Sequence, residues 1–190
     1  MSLPKILAYT HQVIGEVLSV GGIAIDATVG NGYDTLFLAK QVGSQGRVYG
    51  FDIQQTAISI TRKRLIEHHA SEQVELFLNN HALLHQDIPL VYKGKIGAIM
   101  FNLGYLPNGD HQIITTAHTT QYAAEQASEW LMKGGRMTLV LYTGHSGGEA
   151  EASTVINWAS SLPTKQFRVD WYQILNRHQA PSILIIEKNT

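Results

Sequence analysis

The sequence predicts an α/β fold: a mostly parallel seven-stranded sheet with helices on both faces and an antiparallel C-terminal hairpin. Three observations predict it. Short apolar runs alternate with segments of helical period, the mark of βαβ units. The last two runs, 167–175 and 182–187, have no helical segment between them, so they should pair as a hairpin at one edge. The turn after the first run, Gly30-Asn31-Gly32, is tight and opens directly onto a helix, as nucleotide-cofactor turns do.

A chain of 190 residues fits one domain, 1–190, and is long enough to bury a real core. The absence of cysteine excludes disulfides, zinc–thiolate sites and thiol nucleophiles, and fits a reducing compartment. No apolar run approaches a membrane span, and the first residues do not read as a signal peptide. The net charge of −1 provides no general basic surface. A nucleic-acid surface must then be a local patch, or be completed by a second subunit.

Taken in order, 4–20 reads as a helix. Pro4 suits its first turn, Leu7, His11, Ile14 and Leu18 recur at helical spacing, and Gly21-Gly22 stops it. His11 lies on the apolar face, to be read first as a packed histidine and second as a substrate contact. Ile23 and Ile25 supply the first strand. The helix after the glycine turn runs to 42, with Gly43 as C-cap. Residues 47–53 form the second strand and 54–69 the second helix, with Arg62-Lys63-Arg64 read first as a solvated run and second as a nucleic-acid contact. The third strand is 74–79. After a stretch containing Pro89, 96–101 is near-continuously apolar, hence a central buried strand. It ends in 102–110, too rich in turn residues to extend it. A helix over 115–132 ends at Gly134-Gly135; 136–142 is the fifth strand, closed by a glycine-rich loop over 143–148. The next helix places Ala152, Val155, Ile156 and Ala159 on one face. Five parallel units followed by a hairpin are the architecture of a Rossmann-like methyltransferase.

Two cofactors compete for the glycine turn. A dinucleotide fingerprint asks for a third small residue where this chain has Thr35. The alternative pattern is an acid before the turn, glycines within it and an acid ending the next strand, which Asp26, Gly30, Gly32 and Asp52 supply. That is the layout for S-adenosylmethionine. Asp26 would orient the ammonium of the cofactor, directly or through water. Asp52 would accept from both ribose hydroxyls, and Asn79 would meet the adenine edge. Thr28, Asn31, Asp34, Thr35, Gln54, His81 and Asn102 complete the candidate cofactor contacts. Asp52 would serve NAD equally; Asp26, Thr35 and the lack of a pyrophosphate in S-adenosylmethionine favour the latter.

Asn102-Leu103-Gly104-Tyr105 leaves the fourth strand beside that cofactor. Asn followed three positions later by Tyr resembles the Asn/Asp-Pro-Pro-Tyr loop of methyltransferases acting on amino nitrogens, without its prolines. An amine can donate its N–H groups to the Asn102 oxygen and to a loop carbonyl, which aims its lone pair at the methyl group. Tyr105 can pack on a planar base. An alkyl amine must first lose a proton, and Asp110, Tyr142 and His145 are the candidates to accept it or to orient the substrate. No histidine spacing suits a metal.

Asp26-Ala27-Thr28-Val29-Gly30-Asn31-Gly32, Phe51-Asp52-Ile53-Gln54, Phe101-Asn102-Leu103-Gly104-Tyr105-Leu106-Pro107 with Gly109-Asp110, and Tyr142 with Gly144-His145 resemble the MnmM (YtqB-like) methyltransferases, earlier labelled rRNA methylases. The resemblance implies methylation of the aminomethyl nitrogen of the tRNA wobble uridine, completing 5-methylaminomethyl-2-thiouridine. It also implies S-adenosylmethionine, a bacterial cytoplasmic setting and a homodimer. Tyr33 stands where a polar residue is expected. For the anticodon stem-loop, Tyr105, Arg177 and His178 are the candidate contacts through stacking and phosphate. Other readings are an amine methyltransferase for rRNA or a small metabolite, an NAD-dependent oxidoreductase, and a non-catalytic RNA-binding module.

Overall fold

The computed structural model describes residues 4–104, 115–145 and 147–190. Among the described residues seven strands form one sheet: β1 Ile23–Asp26, β2 Arg47–Asp52, β3 Val74–Leu78, β4 Ile96–Asn102, β5 Leu131–Leu141, β6 Phe167–Tyr172 and β7 Ser182–Lys188. Their spatial order is β3-β2-β1-β4-β5-β7-β6. The first five pair in parallel, and β7 is antiparallel to both β5 and β6. The α-helices among the described residues are α1 Ile6–Gly15, α2 Tyr33–Val42, α3 Gln55–Glu67, the one-turn α4 Leu84–Asp87, α5 Ala117–Trp130 and α6 Gly148–Ser161.

Alternation along the strands divides the core into two layers. Ile25, Phe51, Ile99, Phe101 and Leu139 point to one side, against Leu84, Ala123, Ala127 and Val155 from α4, α5 and α6. Ala24, Val48, Ala98 and Met100 point to the other, against Leu38, Ala39 and Val42 of α2 and Leu65 of α3. Ile6 and Val13 of α1 cover Val140, Ile183 and Ile185 on that second side. Because β1 lies between β2 and β4, the winding reverses there, and a crevice opens beyond the carboxyl ends of the central strands.

Three boundaries differ from the sequence reading. Helix α1 ends at Gly15 instead of near 20, and the chain then turns so that Leu18 is buried against the sheet. The helix ahead of β5 stops at Trp130, and Leu131 is already extended and paired with Ile96. Gly134-Gly135 therefore shapes a strand irregularity and does not end a helix: the pairing jumps from Leu131 to Arg136 across it. A Cβ on Gly135 would stand 2.8 Å from the Ile96 carbonyl oxygen, so only glycine fits. Finally, β6 ends at Tyr172, short of the expected 175.

Candidate active site

The crevice holds a cavity of about 850 Å³. Its floor begins at the glycine turn. Gly30 and Gly32 both have positive φ, 52° and 76°, and Gly32 is the N-cap of α2. The Gly30 N–H donates to Asp52 Oδ2 at 2.8 Å, and the Gln54 N–H donates to Asp52 Oδ1 at 2.9 Å. Those bonds fix the carboxylate and leave acceptor positions on the cavity side. Burial pushes the Asp52 pKa up, and the N–H groups of Gln54, Gly30 and Ile53 pull it back.

Asp26 does not line the cavity. It is 1% exposed, with Oδ1 accepting from the Thr28 N–H at 3.2 Å and Oδ2 from the Thr35 hydroxyl at 2.5 Å. Burial, then the neighbouring Asp34, holds its pKa well above the usual carboxylate range. Asp26, expected to orient the cofactor ammonium directly or through water, is not a lining residue: it braces the turn from behind, and so does Thr35, also fully buried. Gly32 is likewise not a lining residue; it lies against Thr61, whose hydroxyl donates to the Gly30 carbonyl. Thr28, Gly30, Asn31, Asp34 and Gln54 do line the cavity. Tyr33, the unexpected aromatic, stands 64% exposed at the rim beneath the Arg64 guanidinium, 3.9 Å from its ring centroid.

Beyond β3, Asn79 lines the cavity with both ends of its amide engaged: Nδ2 donates to Asp87 at 2.7 Å and Oδ1 accepts the Asn80 N–H at 2.9 Å. His81 lies deeper. Its Nδ1 donates to the Ala27 carbonyl at 3.1 Å, which leaves Nε2 as the bare acceptor. That nitrogen has no hydrogen-bond partner among the described residues. Burial pushes the imidazole down to about 4, so it is neutral at physiological pH.

On the acceptor side, Asn102 ends β4. Its N–H donates to the Thr28 hydroxyl at 2.7 Å, and its Nδ2 faces Asp34 Oδ2 at 3.5 Å. Tyr142 and His145 line the same wall. A Cβ built on Gly104 would stand 3.5 Å from His145 Nε2 and 3.9 Å from Tyr142 Cδ2, so the three are neighbours. Burial, then the charge of Asp34, raises the Tyr142 pKa, which favours its hydroxyl form. Tyr105 and Asp110 lie outside the described residues. The segment that carries them is framed by Gly104 and Thr115, which bond in both directions: the Thr115 N–H donates to the Gly104 carbonyl, and the Gly104 N–H to the Thr115 hydroxyl. Buried Glu151 of α6 accepts from Thr115 at 2.8 Å and Thr120 at 2.6 Å, tying that frame to α5.

Arg177 and His178 are exposed in the turn between β6 and β7 and do not line the cavity; the adjacent Gln179, at φ 55°, does. Gln179, Asn80, Thr115, Thr116 and Thr119 are among the polar lining residues that the sequence reading did not assign to the site, and His11 is one that it weighed only second, as a substrate contact. His11 sat on an apolar helix face, and nothing local set it apart.

The family described as "Putative rRNA methylase" matches residues 48–188. The chain belongs to this family. Among its relatives is the Arabidopsis thaliana "tRNA (mnm(5)s(2)U34)-methyltransferase, chloroplastic", 37% identical over 97% of this chain and 69% of that protein. A crystal structure of a "putative rRNA-methylase" from Clostridium thermocellum is 38% identical, with a TM-score of 0.95 over 99% of this chain and 100% of that one. A "putative methyltransferase" from Streptococcus mutans, solved in complex with SAH, is 34% identical, with a TM-score of 0.88 over 98% and 99%. The Rossmann-like methyltransferase architecture expected from the sequence is the one these relatives share.

For this rRNA methylase family member the lining residues fit S-adenosylmethionine. Asp52 offers a carboxylate for vicinal hydroxyls, Asn79 and Asn80 offer amides beside it, and Val29 and Ile53 offer apolar contact. The charged lining groups are carboxylates, Asp34 and Asp52, with no Lys or Arg among the described residues. Such a wall suits a sulfonium cation and an amine.

Proposed function

We propose that this protein is an S-adenosylmethionine-dependent tRNA methyltransferase that methylates the aminomethyl nitrogen of the wobble uridine, converting 5-aminomethyl-2-thiouridine to 5-methylaminomethyl-2-thiouridine. The observation that carries the reading is Asn102, pinned by Thr28 at the end of β4 with its amide nitrogen on Asp34. The activity in the name of the Arabidopsis relative supports the choice of acceptor. When bound, S-adenosylmethionine supplies a methyl group made electrophilic by its sulfonium sulfur. Asn102 Oδ1 accepts one acceptor N–H, a backbone carbonyl of the 102–104 turn accepts another, and the lone pair is left pointing into the cofactor half. Asp52 holds the ribose. The alkyl ammonium gives up one proton before it reacts; His145 and Asp110 are the groups offered for it, and the Tyr142 hydroxyl orients the amine. We further propose a homodimer in the bacterial cytoplasm. Leu175, 86% exposed, and Trp171, 47% exposed, at and beyond the edge strand β6 supply apolar surface for a second copy, and the contact with an anticodon stem-loop would extend over both.

The test is incubation with labelled S-adenosylmethionine and tRNA from cells lacking the enzyme. Label should appear in the wobble uridine, and Asn102→Ala should abolish it while S-adenosylhomocysteine still binds. Label confined to ribosomal RNA or a metabolite sinks the tRNA assignment. Sedimentation analysis reads the dimer, and a monomer at all concentrations removes it.

A further inference from the structure

His11 stands at the cavity with no part in the reading above. Its Nε2 lies 2.6 Å from Asp34 Oδ1. The ring stacks on Phe37 of α2, centroids 4.0 Å apart and planes within 3°. Asp34 Oδ2 in turn faces Asn102 Nδ2 at 3.5 Å. Side chains from α1, α2 and β4 thus form one polar row along the cavity wall.

We propose that His11 is a positioning residue for methyl transfer, acting through Asp34 to keep the Asn102 amide oxygen turned toward the acceptor amine. This rests on the amine-orienting reading of Asn102. An asparagine amide presents an acceptor on one side and a donor on the other, and a half-turn exchanges them. Only the oxygen can receive an amine N–H. Were the NH2 turned inward, it would bond the amine lone pair and block attack. An ionised carboxylate only accepts, so Asp34 holds the NH2 on its own side and leaves the oxygen facing inward. A carboxylate can itself rotate. The His11 N–H donates to its other oxygen in a hydrogen bond that fixes it. The histidine is fixed in turn by the Phe37 stack and by its helix. Arg136 Nη1 donates to the Val13 carbonyl and to Glu16, and its Nε to Glu187, each at 2.7 Å, locking the end of α1 to β5 and β7.

The experiment compares His11→Leu with His11→Gln, whose amide can still donate to Asp34, using tRNA from cells lacking the enzyme. His11→Leu should lower kcat by roughly tenfold or more, as misplacement of a reacting group does. The KM for tRNA and the Kd for S-adenosylhomocysteine should stay within about threefold of wild type, since ground-state binding is not what is lost. His11→Gln should recover most of kcat. An unchanged kcat in His11→Leu overturns the proposal, as does an equal fall in both variants or a loss confined to S-adenosylhomocysteine affinity. If circular dichroism shows His11→Leu unfolded, His11→Asn, polar but too short for Asp34, takes its place. Turnover that survives Asn102→Ala defeats the reading of Asn102 itself, and is distinct from a failure at His11.

Discussion

At the scale of single residues, the site depends on groups whose chemistry is set by burial. His81 is held as a neutral imidazole, its pKa pushed from an ordinary 6.5 to about 4. Below pH 6.5 the unfolded chain takes up a proton that the folded chain refuses. The protein should therefore lose stability as pH falls from 6.5 to 4, by up to about 3 kcal/mol from this group, and lose no more from it below 4. Urea unfolding at several pH values should show that slope, and His81→Gln should flatten it; an identical slope in the variant would assign the effect elsewhere. Asp52 and Asn102 were legible in the sequence because each ends a strand, where the topology of an open sheet leaves little choice of position. The true place of Asp26 was not legible. Four residues before Gly30, it faces the turn in any reading, but only packing decides that Thr35 and Thr28 consume its oxygens. His11 was legible only as a second reading and Gln179 not at all, because they approach from elements far along the chain, by contacts that no local pattern records.

At the scale of elements, the glycine turn is held by a close approach that the spacing of its residues only hinted at. A Cβ on Gly32 would stand 2.5 Å from Thr61 Oγ1 and 2.7 Å from its Cγ2, at a φ of 76°. Gly21 has a similar φ of 79° with nothing within 4 Å, so it isolates backbone strain from crowding. Gly32→Ala should cost about 2–4 kcal/mol and Gly21→Ala about 1–2 kcal/mol. Denaturant titrations of the two variants measure the difference, and equal values would mean that α3 yields to the added methyl. The alternation of strands and helices was readable because period and length distinguish them. Two ends were not. Gly134-Gly135 looks like a helix stop, and only the closeness of β4 turns it into an irregularity within β5. The end of α1 is decided by Arg136, which takes up the Val13 carbonyl from a strand more than a hundred residues away.

At the scale of the whole molecule, charge decides where RNA can touch. The net charge is −1, and the cavity wall carries no Lys or Arg among the described residues. Phosphates must then be met outside the cavity, and the exposed turn bearing Arg177 lies beside it through Gln179. Arg177→Ala should weaken tRNA binding and reduce the slope of log K against log salt by about 1, with S-adenosylhomocysteine affinity unchanged; an unaltered slope would remove Arg177 from the RNA surface. The pairing of Gly104 with Thr115, braced by Glu151, has a different consequence. It ties together the two residues that flank 105–114, whatever those residues are. Lengthening a closed loop costs little, about 0.6 kcal/mol per doubling. The chain between the two anchors can thus be exchanged in sequence or length while the cofactor half is left as it stands, so that descendants of one methyl donor site can come to serve different acceptors by replacing a single cassette.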